Sequence, residues 1–304
     1  MAHLPNDMRD TRFLLDEDTR PAQPVPPTIL TTAAAMRRWR AANSGSCGFV
    51  PTMGYLHDGH LELVRRSIEE NLHTVVSIFV NPMQFGPNED FSRYPRDEVR
   101  DLAQLGAAGV DAVYLPSATD MYPEGYQTYV DVERVTKPLE GSSRPGHFRG
   151  VTTVVLKLFN AVGADRAYFG RKDAQQLRVV QRMARDLDLG TEIVPCAIVR
   201  ESDGLAMSSR NVYLDPEQRA AATVLKRSLD HASALWAAGQ RDAGVLRAAV
   251  RDTIATEALA EIDYVSLADD SSLEEVEGIA VGAALLSLVV KFGKTRLLDN
   301  VELA

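Results

Sequence analysis

Hydrophobic positions between residues 47 and 199 fall into two kinds of segment. Five short runs are apolar or β-branched without strict alternation, which is typical of strands that are covered on both faces. These runs lie at residues 47–51, 74–80, 110–115, 166–169 and 193–199. Together they predict a parallel sheet.

Amphipathic helices separate the predicted strands. The clearest is predicted at residues 151–162, where apolar side chains recur at helical spacing and form one stripe that faces the core. The stripe consists of Val151, Val154, Val155, Leu158, Phe159 and Val162. Strands that alternate with helices favour a doubly wound α/β fold, in which ligands bind in the crevice beyond the carboxyl ends of the strands.

The pattern changes after Leu214. Asp215 and Pro216 have the residue types of a helix N-cap and a first helical position, and a helical stretch rich in alanine and arginine continues to about residue 260. Three further strands are predicted, at residues 262–267, 284–292 and 295–303. We therefore predict a parallel-sheet domain at residues 28–199 and a smaller α+β domain at residues 200–304.

The first 27 residues contain five prolines and mixed charge. This composition predicts a poorly ordered extension, for which we expect no catalytic role. The segment has no apolar core of the kind found in secretory signals.

Composition narrows the classes of function. The 304-residue chain has a formal net charge of -9 at pH 7, which argues against nonspecific nucleic-acid binding because phosphate contacts need a basic surface. No apolar run reaches the roughly 18 residues that a membrane span needs. The two cysteines, Cys47 and Cys196, lie far apart in sequence and favour a reducing compartment. We predict a cytoplasmic protein without nucleic-acid or membrane partners.

Residues 51–60 read P-T-M-G-Y-L-H-D-G-H and lead from a predicted strand into a predicted helix. The free N–H groups and positive dipole end of a helix attract anions, so we expect a phosphate group there. We predict that His57 and His60 share one helical face and donate hydrogen bonds to an α-phosphate, and that Gly59 lets a nucleotide approach the backbone. A helix cap and a surface histidine are the structural alternative.

Two later segments also follow predicted strands and carry groups suited to phosphates. In residues 170–176, Lys172 is a mobile ammonium, and Asp173 could cap the next helix or bind a metal ion or ribose. In residues 207–211, Ser208, Ser209 and Arg210 can bind the leaving end of a triphosphate. Each segment taken alone is also compatible with a solvated loop.

Amide side chains occur at the end of another predicted strand, in residues 79–85. Amides can recognise the hydroxyl and carboxylate of a small acid without adding charge. An Asn-Pro turn is the simpler explanation of Asn81. It does not account for Gln84.

Taken together, these segments resemble the pantothenate synthetase family, which is part of the adenylylating superfamily with a His-x-Gly-His motif. The resemblance extends from about residue 47 to residue 300. Its family-specific blocks lie at residues 51–60, 79–85, 94–96, 144–148, 170–177, 203–214 and 295–300. Arg171 departs from the family pattern, in which glutamate usually precedes the lysine.

The resemblance implies an ATP-dependent ligase. Such an enzyme activates pantoate as an acyl adenylate, passes the acyl group to β-alanine, and releases AMP and pyrophosphate. The resemblance further implies Mg²⁺ with the ATP, a Rossmann-like N-terminal domain, a smaller C-terminal domain that closes over the site, and a homodimer.

The resemblance also implies roles for single residues. His60 would be the proton donor, Gln84 would contact pantoate and β-alanine, and Gln176 would contact pantoate. The metal ligands stay open, with Asp173 as a candidate. The implied ATP contacts are Met53, Gly54, Tyr55, Leu56, His57, Asp58, Gly59, His60, Gly170, Arg171, Lys172, Asp173, Val199, Met207, Ser208, Ser209 and Arg210.

No enzyme nucleophile is needed for this chemistry, so we expect catalysis from positioning and charge stabilisation. The groups expected to supply it are His57, His60, Lys172, Ser208, Ser209 and Arg210. Two alternatives remain open. One is another nucleotidylyltransferase of the same superfamily, which attaches AMP to a phosphate and leaves it there, and the other is a noncatalytic nucleotide-binding regulator.

Overall fold

Six parallel strands form the larger of two sheets in the computed structural model, which describes residues 26–87 and 89–304. The strands are β1 Thr28–Leu30, β2 Cys47–Thr52, β3 His73–Ile78, β4 Ala112–Tyr114, β5 Arg166–Gly170 and β6 Glu192–Cys196. Their spatial order is β1-β4-β3-β2-β5-β6, and every pair is parallel. The chain adds β3 and β4 on one side of β2, then crosses to add β5 and β6 on the other. A topological switch point therefore lies between β2 and β5.

Helices cover both faces of this sheet. They are α1 Ala33–Ala42, α2 Asp58–Glu70, α3 Glu98–Ala108, α4 Ala118–Met121, α5 Glu140–Ser143, α6 His147–Val162 and α7 Ala174–Asp186. Successive strand residues face opposite layers, so that Phe49 packs in the cluster that contains the apolar stripe of α6, while Val50 packs with side chains of α2 and α3. Burial on both faces explains why the strands lack polar alternation, and it confirms the predicted doubly wound α/β fold.

Helix α6 contains the predicted stripe, and all six of its apolar side chains are buried. The helix begins at His147, four residues before the predicted start at residue 151. The sequence pattern missed β1, a three-residue edge strand in which Ile29 is exposed. The strand predicted at residues 193–199 ends at Cys196, because the chain then leaves the sheet and the Val199 carbonyl accepts the N–H of Met207 at 3.0 Å.

The smaller sheet is antiparallel, with strands β7 Ala260–Asp269, β8 Ala284–Phe292 and β9 Thr295–Leu303. The helical stretch predicted after Leu214 is three helices, α8 Pro216–Ala221, α9 Val224–Ala237 and α10 Ala243–Ile254. The predicted N-cap is confirmed, since the Asp215 carboxylate accepts the N–H of Gln218 at 2.8 Å. The break at Ala222 and Thr223 has no glycine or proline to signal it.

These helices and strands share their own hydrophobic cluster, in which Trp236 and Leu246 pack with side chains such as Leu286 and Phe292. A smaller α+β region is thus confirmed, whereas the division between residues 199 and 200 stays a prediction. The extension predicted at residues 1–27 lies, apart from Pro26 and Pro27, outside the described residues. Within the described part of the chain, no helix is long and apolar enough to cross a membrane.

Helix α6 lies against the 3₁₀ turn Pro82–Gln84 at Gly150. A Cβ atom at this position would lie 2.3 Å from the Met83 carbonyl oxygen and 2.7 Å from the Gln84 nitrogen. Both are backbone atoms, so neither can rotate away. The glycine therefore fixes how closely the turn approaches the helix.

We expect Gly150→Ala to lower the free energy of unfolding by about 2 kcal/mol through overpacking. This loss should outweigh the advantage of alanine over glycine within a helix, which is about 1 kcal/mol. Urea denaturation followed by circular dichroism measures it. Gly190→Ala is the matched control, because nothing lies within 4 Å of its added Cβ, and it should change stability by less than about 0.5 kcal/mol. Equal stability of the two variants would contradict the prediction.

Candidate active site

The candidate site lies beyond the carboxyl ends of β2 and β5, where the strand order reverses. Connections leave these two neighbouring strands in opposite directions, which opens a crevice between them. The loop after β2 leads to His57 and helix α2, and the turn after β5 contains Lys172. The first two predicted phosphate-binding segments therefore meet at one edge of the sheet.

A buried carboxylate holds the loop after β2. Asp101 of α3 accepts the N–H of Tyr55 at 2.6 Å and the N–H of Leu56 at 2.8 Å. Gly54 and Tyr55 both have positive φ values, of 81° and 52°, and the two hydrogen bonds stabilise that unfavourable turn for the tyrosine. Sequence reasoning missed Asp101. The sequence feature that could have identified it is a charged residue on the apolar face of α3, four positions before the buried Leu105.

The two histidines stack on each other at the start of α2. Their ring centroids lie 4.0 Å apart. The prediction that they share one helical face is wrong in detail, because His57 is the N-cap with extended backbone (φ -135°, ψ 171°) and only His60 lies within the helix. The backbone N–H of His57 donates to Nδ1 of His60 at 3.4 Å. Because Nδ1 accepts this hydrogen bond, the ring proton of a neutral His60 lies on Nε2.

Burial keeps both imidazoles neutral. It lowers the pKa of His57 from 6.5 to about 4 and that of His60 to about 3, and the positive charge of Lys172 adds to both shifts. Nδ1 of His57 is buried and has no hydrogen-bond partner among the described residues. At neutral pH the pair can therefore donate N–H groups to a phosphate without carrying positive charge.

Gly59 makes room for a histidine ring. A Cβ atom there would lie 2.8 Å from Cε1 and 2.9 Å from Nδ1 of His57. We predicted that this glycine also lets a nucleotide approach the backbone, and that role stays a prediction. In the structure the neighbour of Gly59 is the His57 ring, since the stacked arrangement of the two rings requires the space that a side chain at residue 59 would fill.

The turn after β5 is held from the smaller sheet. Residues Arg171–Asp173 form a 3₁₀ turn before α7, and the buried Asn300 of β9 donates to the carbonyl oxygens of Arg171 at 3.1 Å and Lys172 at 2.7 Å. Nζ of Lys172 lies 3.9 Å from the Asp173 carboxylate. Both sheets thus contribute to the position of Lys172.

The third predicted segment contacts the loop after β2. Oγ of Ser208 accepts the N–H of Arg210 at 3.2 Å, and Oγ of Ser209 donates to the Tyr55 carbonyl at 3.2 Å. The Arg210 guanidinium binds Asp90 at two points, 3.0 and 3.1 Å. Ser209 therefore connects this segment directly to the loop after β2.

Gln84 lies on the 3₁₀ turn that follows β3. The predicted Asn-Pro turn is confirmed, because Oδ1 of Asn81 accepts the N–H of Met83 at 3.2 Å. Nδ2 of Asn81 also donates to Oε1 of Gln84 at 3.1 Å, and Nε2 of Gln84 contacts Sδ of Met53 at 3.2 Å. The amide is thereby oriented between β2 and β3.

Two adjoining cavities occupy the crevice. The inner cavity has a volume of about 240 Å³ and the outer cavity about 880 Å³. The predicted site residues that line the inner cavity are Met53, His57, Gly59, His60, Gln84, Gly170, Lys172, Asp173, Gln176, Val199, Met207, Ser208, Ser209 and Arg210. Side chains that line both cavities form a partition, which consists of Arg144, His147, Lys172, Asp173, Gln176, Ser208 and Arg210.

Five predicted ATP contacts line neither cavity. Gly54, Tyr55 and Leu56 form the turn that Asp101 holds, and Asp58 is exposed in the first turn of α2. Arg171 forms an ion pair with Glu302 of β9, because the 3₁₀ turn directs it toward the smaller sheet. Their contacts with ATP stay predictions.

Arg144 and His147 line the inner cavity, although no role was predicted for them. Both lie in the R-P-G-H-F block of the sequence, which was their only signal. Among residues 26–87 and 89–304, no group of three or more His, Cys, Asp or Glu side chains could hold a metal ion.

Comparison with known proteins identifies the family of this chain. A family model described as "Pantoate-beta-alanine ligase" matches residues 28–302. The chain belongs to the pantoate-beta-alanine ligase family. The resemblance drawn from the sequence motifs is confirmed, as is the prediction that this ligase is an enzyme.

Curated and solved relatives cover nearly all of this ligase. The pantothenate synthetase of Roseiflexus sp. (strain RS-1) is 58% identical over 275 residues, which span 90% of this chain and 99% of the relative. The structure of the Thermus thermophilus pantothenate synthetase matches with a TM-score of 0.86 and 46% identity, covering 91% of this chain and 99% of that chain. A Francisella tularensis pantoate-beta-alanine ligase, complexed with beta-gamma ATP and beta-alanine, matches with a TM-score of 0.74 and 32% identity, over 90% and 97%.

The neutral histidines should make this ligase less stable in acid. A pKa that is lower in the folded protein than in the unfolded chain contributes stability that is fully present above about pH 6.5 and is lost as the pH falls toward 4. Between pH 7 and pH 5, His57 should account for a loss of about 1–2 kcal/mol. Urea denaturation at both pH values should show a smaller loss for His57→Gln than for the wild type.

His231→Gln serves as the control for this experiment, because His231 is exposed and lies far from the site in sequence. It should lose as much stability as the wild type between the two pH values. A loss in His57→Gln that equals the loss in the control would refute the assignment of a neutral, buried imidazole at residue 57.

Proposed function

We propose that this ligase joins pantoate to β-alanine in an ATP-dependent reaction with a pantoyl adenylate intermediate. The single observation that carries the proposal is the convergence of the three segments predicted to bind phosphate, together with two glutamines, on one cavity at the switch point. The histidine pair, Lys172 and the 208–210 segment suit a triphosphate, while Gln84 and Gln176 suit a small hydroxy acid. Family membership supports the same reaction.

In the first step, a carboxylate oxygen of pantoate attacks the α-phosphorus of ATP. An oxygen–phosphorus bond forms, the bond to the bridging oxygen of the β-phosphate breaks, and pyrophosphate leaves with the electron pair. The N–H groups of His57 and His60 donate to the α-phosphate oxygens as their negative charge grows. Lys172 and Arg210 bind the departing pyrophosphate.

In the second step, the neutral amine of β-alanine attacks the acyl carbon of the adenylate. A carbon–nitrogen bond forms, the carbon–oxygen bond to the phosphate breaks, and AMP leaves with the electron pair while the amine loses one proton. No enzyme nucleophile takes part, so the cavity contributes positioning and exclusion of water from the mixed anhydride.

Binding of ATP requires Arg210 to exchange its present partner. Its guanidinium is bound to Asp90 at two points, and a phosphate oxygen would replace that carboxylate. The ATP phosphates and one carboxylate would hold Mg²⁺, which would offset phosphate charge, because Mg²⁺ commonly binds substrate phosphates and only one or two carboxylates. Asp173, which lines both cavities, is the candidate carboxylate.

Three wider features belong to the same proposal. They are a homodimer, a cytoplasmic location and a domain division into residues 28–199 and 200–304. The division is supported by the separate hydrophobic cluster that begins at Leu205. The two unpaired buried cysteines support a reducing location.

One assay tests the reaction. The purified protein is incubated with ATP, Mg²⁺, pantoate and β-alanine, and we expect pantothenate, AMP and pyrophosphate by mass spectrometry. Without β-alanine, pyrophosphate should appear in an amount limited to one turnover, and free AMP should not accumulate. Stable attachment of AMP to a phosphate would instead indicate a nucleotidylyltransferase. ATP binding without pyrophosphate release in the presence of pantoate would indicate a regulator.

His60→Ala should fold normally and form pantoyl adenylate about a hundredfold more slowly, since one donor to the developing charge is lost. Single-turnover pyrophosphate release from ATP and pantoate measures this rate. His231→Ala, which removes an exposed histidine, should keep the wild-type rate. Adenylation by His60→Ala at the wild-type rate would count against a catalytic role for His60.

A further inference from the structure

We propose that Arg144 determines specificity for the amine substrate by binding the carboxylate of β-alanine at the partition between the inner and outer cavities. This inference rests on the proposed function, because it concerns the second substrate of that reaction. It assigns a role to a residue whose sequence context predicted none.

Positive charge along the inner cavity is limited. Among the described residues that line it, the lysine and arginine side chains are Arg144, Lys172 and Arg210. The histidines there are neutral, since burial lowers the pKa of His147 to about 4, as it lowers those of His57 and His60. Lys172 and Arg210 lie with the serines of the triphosphate set. Arg144 is thus the cation left for a second anionic group.

Arg144 is held beside the residue proposed to bind pantoate and β-alanine. Its Nη2 donates to the backbone carbonyl of Gln84 at 3.3 Å, and its Nη1 lies 3.2 Å from Nε2 of His147. Nδ1 of His147 lies 2.8 Å from the same carbonyl oxygen. The side chain of Arg144 is 17% exposed. Its guanidinium is therefore fixed before any ligand arrives, which lowers the entropic cost of binding.

Two nitrogen atoms of this guanidinium, Nε and Nη2, already bind a carboxylate. Nε of Arg144 donates to Oε1 of Glu89 at 2.8 Å, and Nη2 donates to Oε2 at 2.6 Å. Burial raises the pKa of Glu89, but the bonds from Arg144 more than offset that effect and leave the pKa below its usual range. Glu89 thus demonstrates the geometry that an ionised substrate carboxylate would adopt.

The position of the partition gives β-alanine its direction. Glu89 lines the outer cavity, whereas Gln84 and the histidines line the inner cavity. A β-alanine molecule that replaces the Glu89 carboxylate at Arg144 can extend its amine inward past Gln84. The adenylate would lie there, beside His57 and His60, so the amine would face the acyl carbon.

The exchange keeps the charges balanced. One carboxylate leaves Arg144 and another takes its place, so the Arg144 guanidinium keeps a carboxylate partner. Glu140, which lies 3.7 Å from Arg144, is also bound by Arg296 at 2.6 and 2.8 Å and does not depend on Arg144 alone. Glu89 is consequently a competitor of β-alanine, and its removal should strengthen β-alanine binding.

Arg144→Gln tests the assignment by separating the two steps. We expect kcat/KM for β-alanine to fall about a hundredfold, while single-turnover pyrophosphate release from ATP and pantoate stays within about threefold of the wild type. The neutral analogue β-alaninamide is the second probe. The wild type should prefer β-alanine over it, and Arg144→Gln should lose that preference.

Glu89→Gln should change the affinity for β-alanine in the opposite direction, and it leaves Arg144 in place. It should lower KM for β-alanine severalfold, with adenylation unaffected. Arg178→Gln is the matched control, because Arg178 is 11% exposed, is bound by Asp270 and Glu302, and lines neither cavity. It should keep the preference for β-alanine.

Two results would overturn the inference. One is an Arg144→Gln enzyme that still prefers β-alanine over β-alaninamide, and the other is a Glu89→Gln enzyme whose KM for β-alanine rises. Equal slowing of adenylation and amide formation by Arg144→Gln would likewise reduce Arg144 to a structural role. Failure of the proposed function is distinguishable, since the wild type would then release no pyrophosphate from ATP and pantoate.

Discussion

The parallel pairing of β2 with β5 is the constraint on which the site depends. Because the chain builds the sheet outward on both sides of this pair, the crossover connections, as far as residues 26–87 and 89–304 describe them, leave the carboxyl ends of the pair open. The loop after β2 brings the stacked histidines to that opening, and the turn after β5 brings Lys172. The other side chains at the site, including Gln84 and the serines, are arranged around this gap in the helical layers.

Keeping these loops in place requires buried polar contacts from elements distant in sequence. Asp101 of α3 holds the turn at Tyr55, and Asn300 of β9 holds the carbonyl oxygens beside Lys172. Each contact satisfies backbone groups that would otherwise be costly to bury. The smaller sheet is therefore part of the candidate site, because its last strand holds the turn that carries Lys172 at the end of a strand of the larger sheet.

Two consecutive carboxylates link the site to the loop that follows Gln84. Glu89 binds Arg144 and Asp90 binds Arg210, each at two points. The two arginines lie on the partition that separates the cavities. An acidic dipeptide thus occupies the places that, under our proposals, a substrate carboxylate and a phosphate would take. The same loop would respond to both substrates, since binding of either one frees a carboxylate.

The sequence by itself determined the parallel fold and most of the polar side chains that line the inner cavity. Apolar runs such as residues 47–51 and the stripe of α6 indicate directly which positions are buried. The histidine, lysine and serine segments follow parallel strands, whose carboxyl ends meet at one edge of the sheet. Only the tertiary structure decided the ion pair of Arg171 with Glu302 and the contacts of Asp101 and Glu89. Those features depend on contacts between residues far apart along the chain, and local periodicity carries no information about which distant side chain will reach a given backbone group or charge.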